Sequence, residues 1–99
     1  MLNIKKNAVG DVLTVSLEGR LDTVTAPQLD ASLRESMDGM KELILDLRDL
    51  EYISSAGLRV LLSAQRAMAK TGSMKLINVG DILMEIFEVT GFADILTIE

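Results

Sequence analysis

The chain has 99 residues, 48% of them hydrophobic, with ten lysines and arginines against fifteen acids and a net charge of −5. Without a single cysteine or histidine it builds no disulfide framework, none of the usual zinc sites and no Ser–His–Asp triad. An acidic chain with no basic cluster is unsuited to direct nucleic-acid binding, and its longest apolar runs fall far short of a membrane span.

Leu2, Ile4 and Val9 alternate with polar residues, and Asn7-Ala8-Val9-Gly10-Asp11 supplies a turn. Val12 to Glu18 then alternates cleanly, with Leu13, Val15 and Leu17 on one face, so the stretch predicts a β-hairpin with one buried face. Gly19-Arg20-Leu21-Asp22 closes the second strand and starts a loop; Asp22 is either a turn residue or a group that faces the serines at 54 and 55 from a neighbouring strand end. Thr25-Ala26-Pro27-Gln28 reads as a helix start, with Thr25 as cap, Gln28 completing a capping box and Pro27 harmless in the first turn. Ala26, Leu29, Leu33 and Met37 form its inward stripe, and Gly39 ends it.

Glu42–Leu47 is a nearly continuous apolar run, the pattern of a strand buried on both faces. A strand, a helix and another strand in this order imply a right-handed crossover onto a parallel neighbour. A second helix follows to about Lys70, with Leu58, Leu61, Leu62 and Met68 inward, small Ala64 and Ala67 between them, and Gly72 as the stop. Met74–Asn78 is a further strand, Asp81 caps a third helix with Ile82, Leu83, Ile86 and Phe87 inward, and Gly91 stops it. Ile95–Ile98 is a last strand. The expected fold is a single α/β domain with a mixed sheet of about five strands and three to four helices, of radius roughly 13 Å. The first residues lack the apolar stretch of a signal peptide, so the expected location is the cytoplasm.

Ser54-Ser55-Ala56-Gly57 joins the buried strand to the second helix. Serines delivered to the first turn of a helix set a hydroxyl among unpaired N–H groups at the positive end of the dipole. One serine acting as a plain helix cap is the simpler reading. Two hydroxyls stand where one cap suffices, however, and Gly57 lets another backbone approach closely. Asp46 interrupts the apolar strand; it is either an exposed strand terminus or a participant at the strand ends where ligands collect. An esterase elbow is ruled out, because Ile53 holds its first glycine position and no histidine can serve as base. A phosphate-binding loop would need more glycine and a lysine before the hydroxyl. A serine at an exposed helix start can still be a substrate for another enzyme, since phosphorylation adds about −1.5 to −2 charges that the helix end accommodates.

Gly19-Arg20-Leu21-Asp22, Thr25-Ala26-Pro27, Leu45-Asp46-Leu47 and Tyr52-Ile53-Ser54-Ser55-Ala56-Gly57-Leu58, in this order over essentially the whole chain, resemble the STAS domain family and, within it, the stand-alone anti-sigma-factor antagonists of bacteria. The resemblance implies partner switching: the unphosphorylated protein binds a serine-kinase anti-sigma factor and frees the sigma factor, phosphorylation breaks the complex, and a PP2C-type phosphatase restores it. Aligned on Gly57, the acceptor is Ser55. Ser54 stands where the family commonly has aspartate and is the alternative acceptor. The expected partner surface comprises Asp22, Thr23, Asp46, Ser54, Ser55, Ala56, Gly57 and Arg59, with no catalytic residue, cofactor or metal. The other reading is an adaptor or small-ligand module of a transporter or signalling assembly that is not switched by phosphate.

Overall fold

A computed structural model describes residues 1–99. β1 (Leu2–Val9) and β2 (Val12–Leu21) form the expected antiparallel hairpin around Gly10, whose φ of +61° suits glycine at the turn. α1 (Ala26–Ser36) crosses over to β3 (Glu42–Ile53), and α2 (Ser55–Ala69) to β4 (Ser73–Ile77). Both crossovers return the chain parallel to the strand before, giving the sheet order β1-β2-β3-β4. α3 (Asp81–Thr90) and a 3-10 turn (Phe92–Asp94) complete the chain.

One continuous core joins sheet to helices. Leu13, Val15 and Leu17 of β2, Leu43, Leu45 and Leu47 of β3, and Met74 and Leu76 of β4 are buried with Leu29, Leu33, Leu61, Met68, Leu83 and Phe87 of the helices. The apolar run of β3 is not buried on both faces as expected. Ile44 and Asp46 remain half-exposed beside Thr14, Lys75 and Ile77, so the alternation of period two governs burial even where the sequence is apolar throughout.

β3 is also longer than the expected Glu42–Leu47, because pairing with β2 continues to Leu21↔Ile53. Its twelve residues lie against ten of β2, and two register shifts, between Ser16 and Glu18 and between Gly19 and Arg20, absorb the difference. Past Leu47 the buried positions are Leu50 and Ile53, three apart, since each bulge adds a residue to the ladder.

Three end signals resolve differently from the sequence pattern. Thr25 has helical backbone angles and makes no cap bond; its hydroxyl donates to the Arg20 carbonyl (2.9 Å) and accepts from the Asp22 N–H (2.9 Å). Gln28 closes no capping box either, donating instead to the Leu2 carbonyl at 3.2 Å. At α3, Gly80 is the cap and Asp81 the first helical residue, while Ile82, expected inward, is 68% exposed. The last strand reduces to one parallel bridge, Leu76↔Ile98, because the 3-10 turn uses the residues before it. No helix is long and apolar enough to cross a membrane.

Candidate functional site

The ends of β2 and β3 bring the serine joint and the Asp22 loop together. The Ser54 N–H donates to the Leu21 carbonyl at 2.9 Å, so the residues that follow Leu21 lie against the start of α2. Ser54 has the extended backbone of a helix cap (φ −96°, ψ 175°), and its Oγ accepts from the Gly57 N–H at 3.4 Å, the long limit of a hydrogen bond. Ser55 is the first residue of α2, is exposed, and its hydroxyl has no hydrogen-bond partner within the protein. The two serines are therefore not equivalent: one hydroxyl is engaged in the fold and the other is free.

Asp22 organises the adjoining loop. Its Oδ1 accepts from the Val24 and Thr25 N–H groups, both at 3.0 Å, and the Ala26 N–H donates to its carbonyl at 2.8 Å. These bonds close the turn that leads into α1, and the Asp22 carbonyl, not a cap side chain, takes the first N–H of the helix. The Thr25 N–H, favouring the ionised form, holds the Asp22 carboxyl below the usual carboxylate range despite its partial desolvation. The loop that adjoins the serine joint thus carries a fixed negative charge.

Thr23, Ala56 and Arg59 line one open groove between α1 and α2, which begins at the joint and includes Pro27, Asp30 and Val60. Of the expected partner surface, Asp22, Thr23, Ser54, Ser55, Ala56 and Arg59 are gathered at this end of the molecule. Asp46 is not. It lies seven residues upstream of Ile53, roughly 20 Å along a strand, and its Oδ1 accepts from the Arg48 N–H (3.1 Å) and the Asn78 Nδ2 (3.0 Å). It braces the first bulge of β3 against the residue after β4, where Asn78 holds φ +56°.

Gly57 is buried and faces inward. A Cβ there would stand 2.7 Å from Leu21 Cγ and 2.8 Å from Ile53 Cγ1. The close approach that the glycine permits is therefore that of its own core and not of another protein, which corrects the surface role expected of it.

Sequence reasoning passed over Val24, an apolar side chain 85% exposed at the loop tip. It also passed over Arg20, whose guanidinium lies 4.5 Å from the Tyr52 ring centroid on the last exposed pair of β2 and β3. Val24 was legible as the lone apolar residue between two threonines. The Arg20–Tyr52 pair was not, because its register depends on the second bulge.

Three comparisons bear on this arrangement. The model of the STAS domain matches residues 3–99. The anti-sigma-B factor antagonist of Bacillus subtilis is 31% identical over 98 residues, covering 98% of this chain and 88% of that protein. A Bordetella bronchiseptica protein provisionally named as the anti-sigma factor antagonist BtrV is 35% identical over 96 residues, 95% of this chain and 83% of its own. The fold is that of a crystallised anti-sigma factor antagonist from Mycobacterium paratuberculosis, with a TM-score of 0.88 at 23% identity over 99% of this chain and 85% of that one.

Proposed function

The chain belongs to the STAS domain family, and on that premise we propose that it is an anti-sigma-factor antagonist switched by phosphorylation of Ser55. It is a binding protein of the cytoplasm and not an enzyme. Its partners are a serine-kinase anti-sigma factor, which it binds when unphosphorylated so that the sigma factor is released, and a PP2C-type phosphatase. The observation that carries the assignment of Ser55 is the division of labour at the joint: Ser54 Oγ accepts from Gly57 while the Ser55 hydroxyl is exposed and unbonded.

The chemistry follows from that position. The kinase transfers the terminal phosphoryl group of ATP to Ser55 Oγ; an O–P bond forms, ADP departs and the hydroxyl proton is released. The product carries about −1.5 to −2 charges at neutral pH. The first N–H groups of α2 and its dipole favour that charge, so the fold survives it. A partner seated over Ser55 and the Asp22 loop meets it differently. There the new charge is desolvated beside the fixed Asp22 carboxylate, and a like or unpaired charge in a contact costs several kcal/mol. About 3 kcal/mol weakens binding by more than a hundredfold. The phosphatase hydrolyses the ester and regenerates the binding form.

The test is phosphosite mapping after incubation with the cognate kinase and ATP. Phosphate on Ser55, lost in Ser55→Ala and retained in Ser54→Ala, is the expected result. Phosphate confined to Ser54 would refute the assignment.

A further inference from the structure

The net charge of the chain is concentrated at one end of the sequence. Residues 1–75 hold all ten lysines and arginines and ten of the fifteen acids, which cancel. Residues 76–99 hold Asp81, Glu85, Glu88, Asp94 and Glu99 with no cation among them, so the whole formal charge of −5 lies there. Glu99 is paired with Lys75 at 3.6 Å; the other four are exposed and make no ion pair.

The same segment exposes apolar side chains. Ile82 is 68%, Val89 81% and Ile95 48% exposed, and Ile82 and Val89 stand seven residues apart on one face of α3 with half-buried Ile86 between them. Leu83 and Phe87 are buried in the core and fix which face of α3 points outward. Single exposed apolar residues are ordinary. Here Ile82, Ile86 and Val89 form a stripe bordered by Asp81, Glu85 and Glu88, which repel one another at spacings of three and four residues without an intervening base, and Ile95 is exposed just past the turn that follows. Neither the stripe nor the unrelieved repulsion serves the isolated fold. One kind of surface relieves both.

We propose that α3 and the 3-10 turn after it form a second docking surface, made of different residues from the serine joint, for a protein partner presenting an apolar ridge bordered by lysines or arginines. The ridge covers Ile82, Val89 and Ile95 while the bases neutralise the flanking carboxylates. Because the neutralising contacts are at the rim, affinity falls as salt screens them.

The probe is a helical peptide of about 14 residues with a leucine face flanked by lysine and arginine, compared with a scrambled peptide of identical composition. Titration calorimetry at low salt gives the affinity, and amide chemical shifts of labelled protein give the location. The expected shifts fall within residues 81–95. Glu85→Lys/Glu88→Lys is expected to weaken binding about tenfold, Ile82→Ser/Val89→Ser about fivefold, and scrambling about tenfold, each tenfold step being about 1.4 kcal/mol. All four positions are exposed or rim sites, and the shift map of the unaltered protein stands even if a variant misfolds. Equal binding of the scrambled peptide, shifts centred elsewhere, or indifference to both variants would overturn the proposal. So would a concentration-dependent dimer in sedimentation that Val89→Ser abolishes, since that assigns the face to a second copy of the chain.

Discussion

Replacing each serine of the joint by alanine is expected to separate their roles by stability alone. Ser54→Ala removes the acceptor of the Gly57 N–H from a part-buried bond whose Ser54 side is half-exposed. Losing a helix cap costs about 0.5–2 kcal/mol in general. A part-buried bond of 3.4 Å, at the long limit of a hydrogen bond, belongs at the low end, about 0.5–1 kcal/mol. For a domain of this size that lowers Tm by about 3–6 °C. Ser55→Ala removes an exposed hydroxyl with no partner and places the best helix former in the first turn, so stability should stay within about 0.5 kcal/mol of wild type. Ser54→Gly is the control, because glycine is tolerated at a cap and costs only a few tenths of a kcal/mol. Thermal and urea unfolding followed by circular dichroism measure all three. Equal losses for the two alanine variants, or a larger loss for Ser55→Ala, would refute the division of labour.

Three further outcomes are expected. Gly57→Ala drives a methyl group against Leu21 and Ile53, so overpacking of about 1–3 kcal/mol should outweigh the gain in helix propensity and lower the urea midpoint; a raised midpoint would show that these side chains yield. Leu61→Ala, at a fully buried position of α2, should cost about 2–5 kcal/mol in equilibrium unfolding, and a change under 1 kcal/mol would misplace the helix face. The Thr25 N–H holds the Asp22 carboxyl below its ordinary range, so its contribution to stability is complete above the ordinary carboxylate pKa and is lost as pH falls through the lower folded value. Asp22→Asn should therefore flatten acid unfolding below about pH 4, and an unchanged acid limb would show that its bonds to Val24 and Thr25 do not favour the ionised form.

The elements were legible where a single period ran without interruption. The alternation of Val12–Glu18 and the helical spacing of Leu58, Leu61 and Met68 gave β2 and α2, and the hydroxyls between strand and helix gave the joint. What was illegible arose from contacts distant in sequence. The bulges that carry β3 on to Ile53 break the period of two, so the strand read as ending at Leu47. The capping box of α1 failed because the Thr25 hydroxyl finds the Arg20 carbonyl, which only the β2 geometry supplies. Gly57 was singled out for the right property and the wrong neighbour: something does approach it closely, but it is Leu21 and Ile53. Asp46 has a role after all, in tying β3 to Asn78, and no local pattern near Asp46 points to a residue 32 positions away.

The measurement that bears most directly on the proposed switch is calorimetric binding of the cognate serine-kinase anti-sigma factor to the wild type, Ser55→Ala, Ser55→Asp and the Ser55 phosphoprotein. Wild type and Ser55→Ala should bind alike. Ser55→Asp, with one added charge, should bind more weakly, and the phosphoprotein more than about a hundredfold more weakly than wild type. All four should keep the same circular dichroism spectrum, because an acid at the start of a helix is compatible with its dipole. Equal affinities across the series, with the fold intact, would contradict the account.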